Sequence, residues 1–150
     1  MLQITQATSA DLRDIQKMIG ALTSFHGDTA NASLAWLQQI FFDTPNGGAA
    51  FMARKGGDPI GYAGVTQRPC IHDGTYRFDI QHLYIVEASR AQGVGRALIE
   101  AAKDFAAGFG AKGMTIGTDP ANKIAQAAYR GMGLEEITDG GPRFWIPLDQ

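Results

Sequence analysis

Residues 83–98 read LYIVEASRAQGVGRAL and predict a strand, a glycine-containing loop and the start of a helix. The run from Leu83 to Val86 is apolar, as in a buried strand. Gly93 and Gly95 stand two residues apart, directly before positions that repeat at helical spacing. Glycines let the backbone approach a ligand closely, and the first N–H groups of a helix have no partner within it and attract negative charge. The stretch therefore predicts a phosphate-binding loop.

Two well-known phosphate-binding loops do not fit this stretch. A Rossmann fingerprint needs a third glycine, and Leu98 stands at that position. A Walker loop needs Gly-Lys followed by Ser or Thr, and Gly95 is followed by Arg96 and Ala97. A Gly-x-Gly in isolation is also compatible with a simple tight turn, so the surrounding pattern decides its meaning.

Outward from this loop, the apolar periodicities predict the order β-α-α-β-β-β-α-β-α-β-β. The predicted strands cover residues 2–7, 49–54, 60–67, 76–86, 114–116, 134–137 and 143–148, and the predicted helices follow residues 8–11, begin at residue 33, and cover 93–105 and 121–130. Early hairpins together with a later β-α-β unit indicate an α/β (α+β) fold, with a mixed, mostly antiparallel sheet flanked by helices. No linker or repeat divides the sequence, so we expect a single domain over residues 1–150.

Composition excludes several classes of protein. The 150 residues are 45% hydrophobic and carry a net charge of −2, which argues against a nucleic-acid partner. Cys70 is the single cysteine, and no Cys/His spacing suggests a metal site, so we expect neither disulfide nor metal. No apolar run approaches the roughly 20 residues of a membrane span, so we expect no membrane partner and a cytoplasmic location. The 19 glycines exceed the roughly 10 or 11 of average usage, so glycine is selected at individual positions.

The stretch 83–98 closely resembles the acetyl-CoA motif Arg/Gln-x-x-Gly-x-Gly/Ala of the GNAT superfamily of N-acetyltransferases. Residues 122–134, NKIAQAAYRGMGL, resemble the second motif of the same family. Both motifs come in family order with family spacing, and the predicted element order also fits. The resemblance covers essentially the whole chain and implies a GNAT-like fold with acetyl-CoA as cosubstrate.

The resemblance also implies which residues bind coenzyme A. Backbone N–H groups of the loop would hold the pyrophosphate, and two arginines would add charge. The loop residues concerned are Arg90, Gln92, Gly93, Val94, Gly95 and Arg96. The pantetheine arm would add to the long strand like a further strand, at positions Leu83, Tyr84 and Ile85. Asn122 would cap the following helix and contact pantetheine or a bridging water.

The resemblance assigns the proton donor and leaves the proton acceptor open. Tyr129 matches the family tyrosine that protonates the departing thiolate. A common glutamate position of the long strand holds Gln81, which cannot act as a base. Asp79 matches another such position, and we favour it, acting through water. His82 has suitable chemistry but faces the other side of the strand unless a bulge turns it, and water alone remains a third possibility.

The leading hypothesis is an N-acetyltransferase that acts on a primary amine of a small molecule or peptide by direct attack in a ternary complex. The amine site is expected from residues 22–36, residues 69–75 and the last strand. One alternative is a non-catalytic acyl-CoA-binding sensor, motivated by Gln81. Another is an interaction module that forms a homodimer through the last strands.

Overall fold

The structure is a computed structural model that describes residues 1–25, 27–45, 47–138 and 140–148. Its contacts divide the chain into two compact units, Met1–Gly117 and Thr118–Gln150, and each is described by itself. His26, part of the expected amine site, lies outside the described residues. No helix within the described ranges is long and apolar enough to cross a membrane.

The strands and helices of the first unit follow the predicted order. Its elements are β1 (Leu2–Gln6), α1 (Leu12–Phe25), α2 (Leu34–Gln38), β2 (Gly48–Lys55), β3 (Asp58–Cys70), β4 (Thr75–Ile85), α3 (Val94–Gly108) and β5 (Met114–Ile116). Ser33 caps α2 by accepting a hydrogen bond from the backbone N–H of Trp36 at 3.1 Å, as its sequence position predicts. A π-helical turn, Gln39–Asp43, follows α2.

The five strands form one mixed sheet in the order β1-β2-β3-β4-β5. Neighbouring strands are antiparallel except β4 and β5, which are parallel. The parallel pairing is short, because it joins only Phe78–Ile80 to Met114–Ile116. The prediction of a mixed, mostly antiparallel sheet is confirmed.

Helices cover both faces of this sheet. On one face, α1 and α2 pack on a cluster that includes Met52 of β2 and Tyr62 of β3. On the other face lies α3, whose Phe105 ring contacts the rings of Phe51 and Phe78 at centroid distances of 5.6 and 6.1 Å. We call these the α1/α2 face and the α3 face. Because side chains alternate along each strand, every strand residue is assigned to one of the two.

The start of α1 is fixed to the sheet by charge. The Thr8 N–H donates a hydrogen bond to Asp11 Oδ2 at 2.9 Å. Asp11 therefore caps the backbone just before α1. Asp11 is also paired with Arg54 of β2, and both side chains are largely shielded from solvent. This pair ties the first helix to the second strand.

The second unit contains α4 (Lys123–Gly131), which confirms the helix predicted there. The two strands predicted at residues 134–137 and 143–148 are wrong, since the structure has no strand at these positions. A strand exists only through hydrogen bonds to a neighbour, and alternation of apolar side chains cannot by itself supply that neighbour. The large apolar side chains of this segment are accordingly exposed, with Phe144 at 86% and Trp145 at 88%.

Candidate active site

The loop between β4 and α3 combines two left-handed residues with a helix start. Ala91 has φ 61° and Gly93 has φ 83°. The first backbone hydrogen bond of α3 runs from the N–H of Ala97 to the carbonyl of Gly93. The N–H groups of Val94, Gly95 and Arg96 belong to the first turn, where no carbonyl of the same helix reaches them. The loop thus presents a row of backbone donors at the positive end of a helix dipole.

Side chains of the loop hold it against the end of β4. Arg90 donates from Nε to the carbonyl of Ile85 at 2.9 Å, and its guanidinium lies 5.8 Å from the ring centre of Tyr84. Gln92 donates to the carbonyl of Ala88 at 3.3 Å. Arg96 is exposed on the first turn of α3. Two positive charges therefore flank the backbone donors predicted to bind phosphate.

Among the described residues, no strand pairs with Leu83–Ile85 on the side away from β3, because the pairing of β4 with β5 stops at Ile80. The N–H of Val86 donates to the carbonyl of Ile60 on β3. By the alternation of an antiparallel ladder, the backbone groups of Leu83 and Ile85 point away from β3, toward the open side. Those of Tyr84 point toward β3. Leu83 thus offers both of its main-chain groups, Ile85 offers its N–H because its carbonyl already accepts from Arg90, and Tyr84 offers its ring.

A β-bulge interrupts β4 at Gln81. Ile80 pairs with Val65 and His82 pairs with Gly64, so Gln81 is an extra residue between consecutive partners on β3. Because of this insertion, His82 lies on the α1/α2 face together with Asp79. For a regular strand, the sequence placed them on opposite faces and named a bulge as the exception. The structure contains this bulge, so both residues lie on the same face.

The bulge is held by polar contacts on both sides. Gln81 donates from Nε2 to Oγ1 of Thr66 at 3.0 Å. Asp79 accepts a hydrogen bond from Oγ1 of Thr115 on β5 at 2.6 Å. The carboxylate proposed as a base is therefore oriented at the point where β4 and β5 diverge.

Tyr62 contacts His82, one of the candidate proton acceptors, and sequence reasoning missed this contact. Its hydroxyl lies 2.7 Å from Nδ1 of His82, and its side chain is 1% exposed. Burial raises the pKa of this phenol far above its ordinary value. A Cβ added at Gly64 would lie 3.2 Å from the Tyr62 hydroxyl, so the glycine leaves room for this contact. The available signal was a glycine inside a strand, which marks a bulge or a close approach.

The remaining predicted residues lie in the second unit. Asn122 accepts a hydrogen bond from the N–H of Ala125 at 3.0 Å, so the predicted capping of α4 is present. Tyr129 lies on α4, and partial burial raises the pKa of its phenol above 10.0. The phenol therefore stays protonated at neutral pH and is able to donate a proton.

Comparisons of the chain with known proteins show the family to which it belongs. The family model described as "Acetyltransferase (GNAT) family" matches residues 15–134, which include parts of both units. The chain therefore belongs to the GNAT acetyltransferase family. Among solved structures, an aminoglycoside N-acetyltransferase AAC(6')-Iy in complex with CoA superposes with a TM-score of 0.82. It is 24% identical and covers 98% of this chain and 95% of its own, which confirms the fold.

Two curated relatives are similar in sequence. An uncharacterized protein ML0378 of Mycobacterium leprae is 34% identical over 134 residues, covering 80% of this chain and 35% of that protein. The N-alpha-acetyltransferase RimI of Mycobacterium tuberculosis is 31% identical over 85 residues, covering 57% of this chain and 51% of that protein. The chain thus spans about a third and about a half of the length of these relatives.

Proposed function

We propose that this chain transfers the acetyl group of acetyl-CoA to a primary amine of a small molecule or peptide. The observation that carries the proposal is one continuous segment, 83–96, in which an open strand edge leads into a loop of backbone donors. An extended chain of amides ending in a pyrophosphate fits such a segment. Its amides can bond to the edge of β4, and its phosphates can bind the first turn of α3.

The proposed cofactor contacts divide between the two ends of this segment. Leu83 and Ile85 bind the pantetheine amides through their main chain, and Tyr84 packs beside the arm. Phosphate oxygens accept hydrogen bonds from the loop and the first turn of α3, with charge from two arginines. The residues concerned are Arg90, Gln92, Gly93, Val94, Gly95 and Arg96. Asn122 is proposed to contact the pantetheine arm or a bridging water in addition to capping α4.

Acetyl-CoA supplies an acetyl group activated as a thioester. In the proposed step, the amine nitrogen forms a bond to the acetyl carbon while the carbon–sulfur bond breaks. Asp79, oriented by Thr115, takes the proton of the amine through a water molecule. Tyr129 gives its proton to the departing thiolate, a role supported by its family position and by the raised pKa of its phenol. No covalent enzyme intermediate is needed.

The class of amine is proposed from two similar proteins. One solved neighbour is named as an aminoglycoside N-acetyltransferase and one relative as an N-alpha-acetyltransferase. Both names describe the acylation of amines, on a small molecule in the first case. Small-molecule polyamines and peptide N-termini are therefore the first substrates to test.

Two measurements test the proposal. Coenzyme A at about 100 times its dissociation constant should stabilise the fold by about 2.7 kcal/mol, seen as a rise in melting temperature. Free thiol released from acetyl-CoA in the presence of aminoglycosides or peptides should report turnover. Tyr129→Phe should abolish most of that turnover. Tyr76→Phe is the matched control, because Tyr76 is exposed at the start of β4 and should leave turnover unchanged.

The second candidate is a non-catalytic acyl-CoA-binding sensor, which the presence of Gln81 at a common base position favours. Both candidates require CoA to raise the melting temperature. Tight binding of acetyl-CoA without thiol release for any amine would support the sensor. Absence of any shift with CoA would contradict both and leave the interaction module.

A further inference from the structure

Two arginines lie opposite each other on β3 and β4, next to the proposed base. Arg68 of β3 is the register partner of Arg77 of β4. Directly opposite residues of an antiparallel pair have Cβ atoms about 5 Å apart, and like charges at such positions are destabilising. The next pair along the same face of these strands is Thr66 and Asp79. The sheet therefore keeps an unfavourable pair of positive charges beside the carboxylate that the proposed reaction uses.

The register places both arginines on the α1/α2 face. Tyr62 belongs to the cluster on that face, and Arg68 follows it on β3 by an even number of positions. The bulge at Gln81 lies beyond Asp79, so the interval from Arg77 to Asp79 is regular. Two residues of a strand span about 7 Å. Each guanidinium therefore belongs to a side chain anchored one pair of positions from the proposed base.

The two arginines differ in their partners. Arg77 donates from Nη2 to Oδ2 of Asp73 at 3.1 Å, so its charge is balanced within the hairpin. Among the described residues, no carboxylate lies within ion-pair distance of Arg68, whose side chain is exposed. Asp79 has the neutral hydroxyl of Thr115 as its hydrogen-bond donor. The guanidinium of Arg68 and the carboxylate of Asp79 thus remain as separate charges of opposite sign on one face.

We infer that Arg68 binds a carboxylate of the acceptor, so that the substrate is an amine that carries a carboxylate group, as amino acids and peptides do. The inference rests on the proposed acetyl transfer and narrows its substrate class. The amino group approaches Asp79, while the carboxylate accepts hydrogen bonds from the planar N–H groups of Arg68. Arg77, held by Asp73, adds positive charge beside it. A purely cationic amine meets Arg68 as a like charge and binds less well.

Matched acceptors test this inference in the wild-type protein. The acceptors are alanine, the dipeptide Ala-Ala, the C-terminal amides of both, and an aminoglycoside, each with saturating acetyl-CoA. One charge-assisted hydrogen bond corresponds to about tenfold in binding. We therefore expect kcat/KM to be about tenfold higher for a carboxylate form than for its amide. The amino acid and the dipeptide show whether a free amino acid or a peptide supplies the carboxylate.

Variants of Arg68 assign the preference to this side chain. Arg68→Gln should lower kcat/KM for the carboxylate forms about tenfold and leave the amides unchanged, whereas Arg68→Lys, which keeps the charge, should retain most of the preference. The amine of each acceptor is the same in all variants, so a changed ratio reports on residue 68. Lys103→Gln is the matched control, because Lys103 is an exposed cation of α3 on the other face and should leave every ratio unchanged.

Failure of this inference is distinguishable from failure of the proposed function. If wild-type protein releases no thiol with any acceptor, the acetyl transfer fails, and the inference fails with it. If thiol is released but carboxylate and amide forms react equally, only the inference fails. A preference that persists in Arg68→Gln, or an aminoglycoside that outperforms every carboxylate acceptor, would also overturn it. Melting temperature and CoA affinity of each variant show whether the fold and the cofactor site are intact.

Discussion

At the residue scale, Gly93 and Ala91 share a left-handed backbone but differ in the strain that this causes. A side chain costs about 1 to 2 kcal/mol in this region, and a Cβ at Gly93 would meet no atom within 4 Å. Gly93→Ala should therefore lower the free energy of unfolding by about 1 kcal/mol through backbone strain alone. Ala91→Gly should raise it by up to about 1 kcal/mol, because the same strain is removed. Urea unfolding measures both changes, and equal stability of the two variants and wild type would contradict these backbone conformations.

Asp79 is the residue whose basicity the proposed reaction needs. Asp79→Asn keeps an oxygen to accept the hydrogen bond from Thr115, so the fold and the melting temperature should be retained. The amide cannot take a proton, so kcat/KM should fall at every pH of the profile. The profile is measured with saturating acetyl-CoA and a limiting amine. An unchanged kcat/KM would exclude Asp79 and leave His82 or water alone as the acceptor.

At the element scale, the contact between β3 and β4 depends on glycine. A Cβ at Gly61 would lie 2.9 Å from the carbonyl oxygen of Tyr84 and 3.0 Å from the Ile85 side chain. Gly61→Ala should therefore push apart the strands at the proposed pantetheine positions. We expect a loss of about 1 to 3 kcal/mol in stability and weaker binding of CoA.

The matched control for this prediction is Gly117→Ala. A Cβ at Gly117 meets no atom within 4 Å, and the residue lacks the left-handed φ that would strain an alanine. Stability and CoA affinity of this variant should be close to wild type. If Gly61→Ala behaved like Gly117→Ala in calorimetry and in a CoA titration, the two strands would not be packed as closely as the structure describes.

Some elements of the fold could be predicted from the sequence and others could not. The loop at Gly93 was predictable because glycine spacing, a preceding apolar run and a following helical period all lie within one short stretch. The bulge at Gln81 was not, since its nearest signal is Gly64 on another strand. The hydrogen bond of Tyr62 to His82 depends on that bulge and was missed with it. The prediction of strands within 134–148 was wrong for a related reason. Strand pairing requires two segments, whereas apolar periodicity is a property of one segment alone.

At the scale of the whole molecule, buried tyrosines make stability depend on alkaline pH. Burial raises the pKa of Tyr62 in the folded protein, while the unfolded chain keeps the ordinary value of 10.0. The stabilisation that comes from keeping this phenol protonated is complete at neutral pH. It is lost as pH rises above 10 toward the folded pKa, at a rate that approaches about 1.4 kcal/mol per pH unit.

Tyr62→Phe tests this effect, because the variant removes the one phenol and keeps every other group that titrates above pH 9. The variant should be less stable than wild type by about 1 kcal/mol at pH 7, since a hydrogen bond is lost. Between pH 9 and 11 the difference should shrink by about 1.4 kcal/mol, because the variant has no phenol to ionise at this position. Chemical unfolding at pH 7, 9, 10 and 11 measures it. A constant difference across this range would mean that Tyr62 is not buried as described.

The open side of β4 also bears on how the protein behaves when concentrated. Unsatisfied N–H and C=O groups on a strand edge are a template for pairing with another chain. The groups of Leu83 and Ile85 that suit a pantetheine arm suit an extended peptide equally well. We therefore expect ligand-free protein to self-associate in stored, concentrated solutions, and coenzyme A to act as a cap that keeps it dispersed. Light scattering of concentrated protein with and without coenzyme A measures this effect, and equal dispersion in both would contradict it.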